Sequence, residues 1–140
     1  MLIGEGPNKE QIFNYVKQRK IEDYVVFTGI QENIPAYMAA MDMFLFPSKK
    51  EGFGIVAIEA QSTGLPVIAS DSVPRETGCT ELIEYLPLTN EEAWIAKIDK
   101  LSASSIVDRK IFSSKISERG YDIKTSSKFL TDYYIKLING

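Results

Sequence analysis

Apolar positions along the chain switch repeatedly between the period of a strand and the period of a helix. Residues 1–3 are a short apolar run that stops at Gly4-Glu5-Gly6-Pro7. Residues 8–20 then carry Ile12, Tyr15 and Val16 at helical spacing, so the start predicts strand, glycine turn, helix. The pattern repeats: residues 24–27 are β-branched and aromatic and end before Gly29, and residues 34–41, with Pro35 in the first turn, predict a short helix. In a third unit, residues 43–46 run as a strand to Pro47-Ser48. Residues 55–63 form a helix that is apolar almost all round and stops at Gly64, and residues 67–69 a buried strand. A turn-rich stretch reaches Thr80, and residues 83–86 predict an edge strand closed by Pro87. The remainder is helical: from an Asn90 cap to about Leu101, from Asp108 to Ile116, and from Ile123 to Ile138 with Phe129, Tyr133 and Leu137 on one face.

Strands alternating with helices predict a parallel sheet with helices on both faces, because each parallel connection needs a crossover. The fold expected is Rossmann-like α/β, one domain over residues 1–140 with C-terminal helices at about 90–140. No repeat of fixed period or low-complexity linker divides it. Ligands of such sheets lie beyond the carboxyl ends of the strands, which directs attention to the loops after Ile3, Phe27, Phe46 and Ala69.

Composition narrows the chemistry. With 44% hydrophobic residues the chain can build a core, and 16 basic against 19 acidic residues give a net charge of −3 and no electrostatic reason to bind nucleic acid. The absence of histidine excludes Ser-His and Cys-His nucleophiles and the commonest metal ligand. The lone Cys79 can form neither an internal disulfide nor a cysteine-based zinc site, which fits a reducing, cytoplasmic setting; it reads as a small loop residue. No window approaches the ~18 apolar residues of a membrane span, and no basic flank leads into a long apolar run, so a soluble, uncleaved segment is expected. Residues 1–100 carry 9 basic and 15 acidic groups, and residues 101–140 carry 7 and 4. The basic C-terminal stretch is either a solvated helix face or a contact for an anionic surface.

The densest chemistry lies between residues 47 and 71. Gly52 and Gly54 bracket Phe53 at a helix start, where they either make a tight strand-to-helix turn or let free N–H groups and the positive dipole end meet a phosphate. Glu59 sits among Ile55, Val56, Ala57, Ile58 and Ala60, which predicts a carboxylate at a largely buried position. It would need partners: the two hydroxyls of a ribose, or a backbone N–H or a lysine. Glu51, in the loop before the helix, could accept from sugar hydroxyls or simply complement the helix dipole.

Glu51 and Glu59, the Glu-Gly-Phe-Gly start between them, the preceding Pro47-Ser48 and the following Gly64-Leu65-Pro66-Val67-Ile68-Ala69-Ser70-Asp71 resemble the donor-binding domain of retaining family 4 glycosyltransferases. The resemblance extends to Gly4-Glu5-Gly6-Pro7, to Val26-Phe27-Thr28-Gly29 and to residues 40–48, about two thirds of the chain; the last forty residues match only as helices. It implies the C-terminal half of a GT-B fold, with a UDP- or GDP-sugar lying across these loops. Glu59 would take the ribose, Glu51 the transferred sugar as the catalytic contact, the backbone of Gly52, Phe53, Gly54 and Ile55 the diphosphate, and Ile30 and Gln31 the nucleobase. Such enzymes retain anomeric configuration and need no bound metal or other cofactor.

The resemblance also implies an acceptor domain and a first strand lying before Met1, so that this span would be N-terminally truncated and inactive alone. An exposed gap in its sheet would invite homodimerisation. After Asp71, where many relatives have a glycine pair and a glutamate, this chain has Ser72-Val73-Pro74-Arg75-Glu76, a variant resembling the branch found with capsular or exopolysaccharide synthesis. The acceptor implied is a glycan or lipid-linked sugar, met at the inner face of the membrane. Lys49 and Lys50 are the nearest basic groups for the diphosphate, unless they are merely solvated. Two other classes stay open: a nucleotide-binding module without transfer activity, and a GT-B sugar-nucleotide epimerase, against which the missing histidine argues.

Overall fold

The computed structural model describes residues 1–104 and 108–139, which divide into two compact units, residues 1–34 and the remainder from Pro35 onward. In the first unit β1 (Leu2–Ile3) pairs in parallel with β2 (Phe27–Gly29), joined by α1 (Lys9–Arg19). Of α1 only Val16 is buried, while Phe13 meets Phe27 edge-on with ring centroids 5.7 Å apart. The strand expected over residues 24–27 lies further along the chain. Residues Glu22–Tyr24 turn as a 3-10 helix and Tyr24 is exposed, so its β propensity gains nothing from burial. Pairing sets the strand instead: Leu2 N–H donates to the Val26 carbonyl and Gly4 N–H to the Gly29 carbonyl, both at 2.8 Å.

The second unit holds a three-stranded parallel sheet in the order β3 (Phe44–Phe46), β4 (Val67–Ser70), β5 (Ile83–Leu86). The parallel pairing is the one expected, but the described strands form two sheets, one in each unit. β4 is central and fully buried, which explains its uninterrupted apolar run, and β5 is the edge strand. The short helix α2 is Ile34–Ala39. The crossover from β3 to β4 is α3 (Ile55–Ser62), whose Ala57, Ile58, Ala60 and Gln61 are buried. Leu65, Ile68 and Val67 complete this core, and Ile58, Cys79 and Ile116 form a cluster beside it.

Beyond the sheet, α4 (Glu91–Ser102) is capped as expected by Asn90, whose side chain accepts from Ala93 N–H at 3.1 Å. The helix expected from Asp108 starts three residues later, as α5 (Ile111–Glu118), because Asp108 turns its carboxylate onto Lys110 N–H (2.9 Å) ahead of the first turn. α6 (Ile123–Asn139) matches its expected span, and the face bearing Phe129, Tyr133 and Leu137 is exposed. Among the described residues no helix is long and apolar enough to cross a membrane.

Candidate functional site

The loop from β3 into α3 is held by bonds of its own. Ser70 Oγ at the end of β4 donates to the Ser48 carbonyl at 2.5 Å, Ser48 Oγ donates to the Lys50 carbonyl at 3.0 Å, and Gly52 N–H donates to Glu51 Oε1 at 3.0 Å. Gly54, at φ +87°, ends the loop: a Cβ there would stand 3.2 Å from Glu51 Cγ and 3.3 Å from both Phe46 and Val73 side chains. Only glycine fits that left-handed, three-sided seat. Gly52 differs from the expectation that both glycines bend the chain. A Cβ at 52 would meet nothing within 4 Å, so the turn rests on Gly54. Gly54 caps α3 without a side-chain bond, and its carbonyl accepts from Ala57 N–H at 2.9 Å.

Glu59 is exposed, contrary to the burial expected of it. Along α3, residues 57, 58, 60 and 61 turn inward, while Ile55 and Glu59, one turn apart, share the outer face. The carboxylate therefore needs no buried partner, and its availability to a ligand rests on exposure. The buried polar side chain of this helix is Gln61. Its amide nitrogen donates to the carbonyls of Ala57 (2.9 Å) and Thr77 (2.7 Å), and its oxygen accepts from Thr80 N–H and Oγ1, both at 3.0 Å. Gln61 thus fastens α3 to the loop after β4. The same cost of a polar group in an apolar helix that singled out Glu59 applies to Gln61, and the inward phase it shares with 57 and 58 was the signal that could have found it.

Phe53 and Ile55 are exposed, and Phe53 meets the Tyr121 ring at 6.2 Å between centroids, a residue the sequence did not single out. The Tyr121 hydroxyl is pushed above the usual tyrosine range by desolvation and then by Cys79 and Glu76. Burial pushes the Cys79 thiol up against the opposing influence of Arg119. Lys49 and Lys50 are exposed. In the first unit, Ile30 is exposed and Gln31 Nε2 donates to the Thr28 carbonyl at 2.6 Å, closing the turn after β2. A cavity of about 560 Å³ beside Gly78, Cys79, Lys115 and Arg119 contains none of the residues that the resemblance assigns to the donor. At the turn into α3 Gly52, Phe53, Ile55 and Glu59 are instead exposed, Glu51 is half-buried and Gly54 is buried.

Residues 1–104 match the family model described as glycosyl transferases group 1. This chain belongs to that family. Among the group 1 glycosyltransferases it is 31% identical over 133 residues to the O-antigen biosynthesis glycosyltransferase WclY of Escherichia coli, covering 95% of this chain and 36% of WclY. Among solved structures, the lipopolysaccharide outer core galactosyltransferase WaaB in its apo form superposes with a TM-score of 0.74 at 24% identity, covering 96% of this chain and 40% of that one. Anabaena HepE in complex with UDP superposes with a TM-score of 0.73 at 20% identity, with the same coverage. The fold is therefore the α/β fold of GT-B glycosyltransferases, parallel strands flanked by helices, and the chain spans 36% of the length of WclY.

Proposed function

We propose that this group 1 glycosyltransferase segment binds the donor of a family 4, retaining enzyme, a UDP- or GDP-hexose, for transfer to a glycan or lipid-linked acceptor in capsular or exopolysaccharide synthesis. The observation that carries it is the turn into α3: Gly54 pinned by its neighbours, Gly52 with open space above it, and Glu59 exposed on the same helix. Backbone amides of Gly52, Phe53, Gly54 and Ile55 at a helix N-terminus suit a diphosphate, and a glycine that no protein atom requires suits close approach of a ligand. HepE, a structural neighbour, has been solved with UDP and with UDP-glucose, which supports a nucleotide sugar here.

In this arrangement Glu59 accepts hydrogen bonds from the ribose hydroxyls and Glu51 leaves Gly52 N–H to accept from the transferred sugar. In the first unit, Ile30 and Gln31 are proposed as contacts of the nucleobase. During transfer, the bond from the anomeric carbon to the diphosphate breaks, a bond to the acceptor oxygen forms on the same face, and the acceptor hydroxyl's proton passes to the departing diphosphate. The α3 N-terminus lies ready where the leaving charge grows, with no metal or other cofactor needed. The acceptor, the complete catalytic apparatus and a cytoplasmic setting at the inner face of the membrane belong to the same proposal.

The test is calorimetric titration of the chain with UDP, GDP, ADP and their hexose conjugates, with thermal shift alongside, since a ligand bound to the folded state raises its stability. One nucleotide is expected to bind selectively, with Glu59→Ala weakening it about 10- to 100-fold through loss of charge-assisted hydrogen bonds. Nucleotide affinity unchanged in Glu59→Ala would refute the ribose assignment.

A further inference from the structure

We propose that Tyr121, in the corner between α5 and α6, is a positioning residue for the 51–55 loop and sets how firmly that loop is held before any ligand arrives. Phe53 stands between two glycines, so its ring is the one large side chain at the tip of the turn, and its ring partner is Tyr121 at 6.2 Å and 32°. The corner that carries Tyr121 is itself anchored. Gly120 takes φ +88°, Gly120 N–H donates to the Ser117 carbonyl at 2.9 Å, and Tyr121 N–H donates to the Ile116 carbonyl at 3.4 Å.

Ile116 is buried against Ile58, which belongs to α3 itself. The body of α3 and the loop that opens it are thus gripped by the same corner, Ile116 below and Tyr121 at the tip. On the far side Asp122 accepts from Thr125 N–H at 2.9 Å and Oγ1 at 3.1 Å, fixing the start of α6. Tyr121 need not touch a ligand to act. A ligand that must order the 51–55 loop itself loses affinity to that ordering, and a ring pair that orders it in advance removes the loss.

The importance of this brace for donor binding rests on the function proposed above, whereas the brace itself is tested without ligand. Hydrogen exchange of the 51–56 segment is measured for the native chain and for Tyr121→Ala, Tyr121→Phe, Phe53→Ala and the double alanine variant. UDP and GDP affinities of the same proteins are measured by calorimetry. Tyr121→Ala is expected to speed exchange in the loop and weaken nucleotide binding about 3- to 10-fold, while Tyr121→Phe, which keeps the ring, preserves both. The double variant is expected to be no worse than Phe53→Ala, because the two rings act through one contact. Unchanged loop exchange in Tyr121→Ala, or additive effects in the double variant, overturns the proposal. A loop that loosens as expected in a chain that binds neither nucleotide refutes the donor assignment and leaves the brace standing. Phe53→Ala reads the same contact from the loop side should Tyr121→Ala fail to fold.

Discussion

At position 54 a single methyl group would meet three side chains while forcing alanine to φ +87°. Gly54→Ala is therefore expected to cost about 1–3 kcal/mol, read as a lowered midpoint in urea unfolding. Gly52→Ala meets no protein atom, so its midpoint is expected to be unchanged while nucleotide affinity falls; equal affinity would remove the case for a ligand lying against that glycine. Gln61 is the opposite kind of residue, wholly inside. Its replacement by leucine strands the Thr80 N–H and leaves the Thr77 carbonyl with the Cys79 N–H alone, with an expected loss of about 1–3 kcal/mol. Cys79, buried and with its thiol pushed up, is expected to react with a disulfide reagent at neutral pH only as fast as the chain opens, whereas denatured chain reacts at once.

Among the elements, α6 carries a built-in acid sensitivity at its first turn. The N–H and hydroxyl of Thr125 hold the Asp122 carboxyl below the usual aspartate range. A carboxyl depressed in the folded state contributes stability above its unfolded value, and that contribution is lost as pH falls through the folded one. Fraying of the α6 start is thus expected below about pH 4, seen as amide chemical-shift changes at residues 123–126, and Asp122→Asn should abolish that pH dependence. The elements themselves were largely legible in the sequence wherever burial and propensity agree, as in the all-apolar β4 or the Asn90 cap of α4. They were misplaced where a partner decides. The Phe27–Gly29 strand exists because two residues of β1 pair with it, and α5 starts late because Asp108 satisfies a backbone donor first. At the candidate site, Glu51, the glycines and Glu59 were visible as residue types with local spacing. The exposure of Glu59 was not, since a short apolar helix does not announce which face its sheet will cover. Gln61 and Tyr121 act through contacts with distant segments, which spacing within one loop does not record.

For the molecule as a whole, burial is unevenly distributed. Val16 is the one buried apolar residue in the first unit's described residues, while β4 in the second is buried along its length. Native-state hydrogen exchange is expected to place the slowest amides in residues 67–70 and markedly faster ones throughout residues 1–34; uniform protection would refute this gradient. Inside the second unit, Gly64 at the end of α3 shows how such a chain couples remote stretches. A Cβ there would fall 2.5 Å from Arg109 Cβ and 2.7 Å from its Cα, and the Arg109 guanidinium donates to the carbonyls of Ala39 (3.1 Å) and Met41 (2.8 Å). Three segments far apart in sequence therefore share one fastening whose keyhole is a missing side chain. Any larger residue at 64 would jam the keyhole, push Arg109 out and leave two carbonyls in another part of the chain without their donor, so damage written at one codon would surface at a place no local inspection would search.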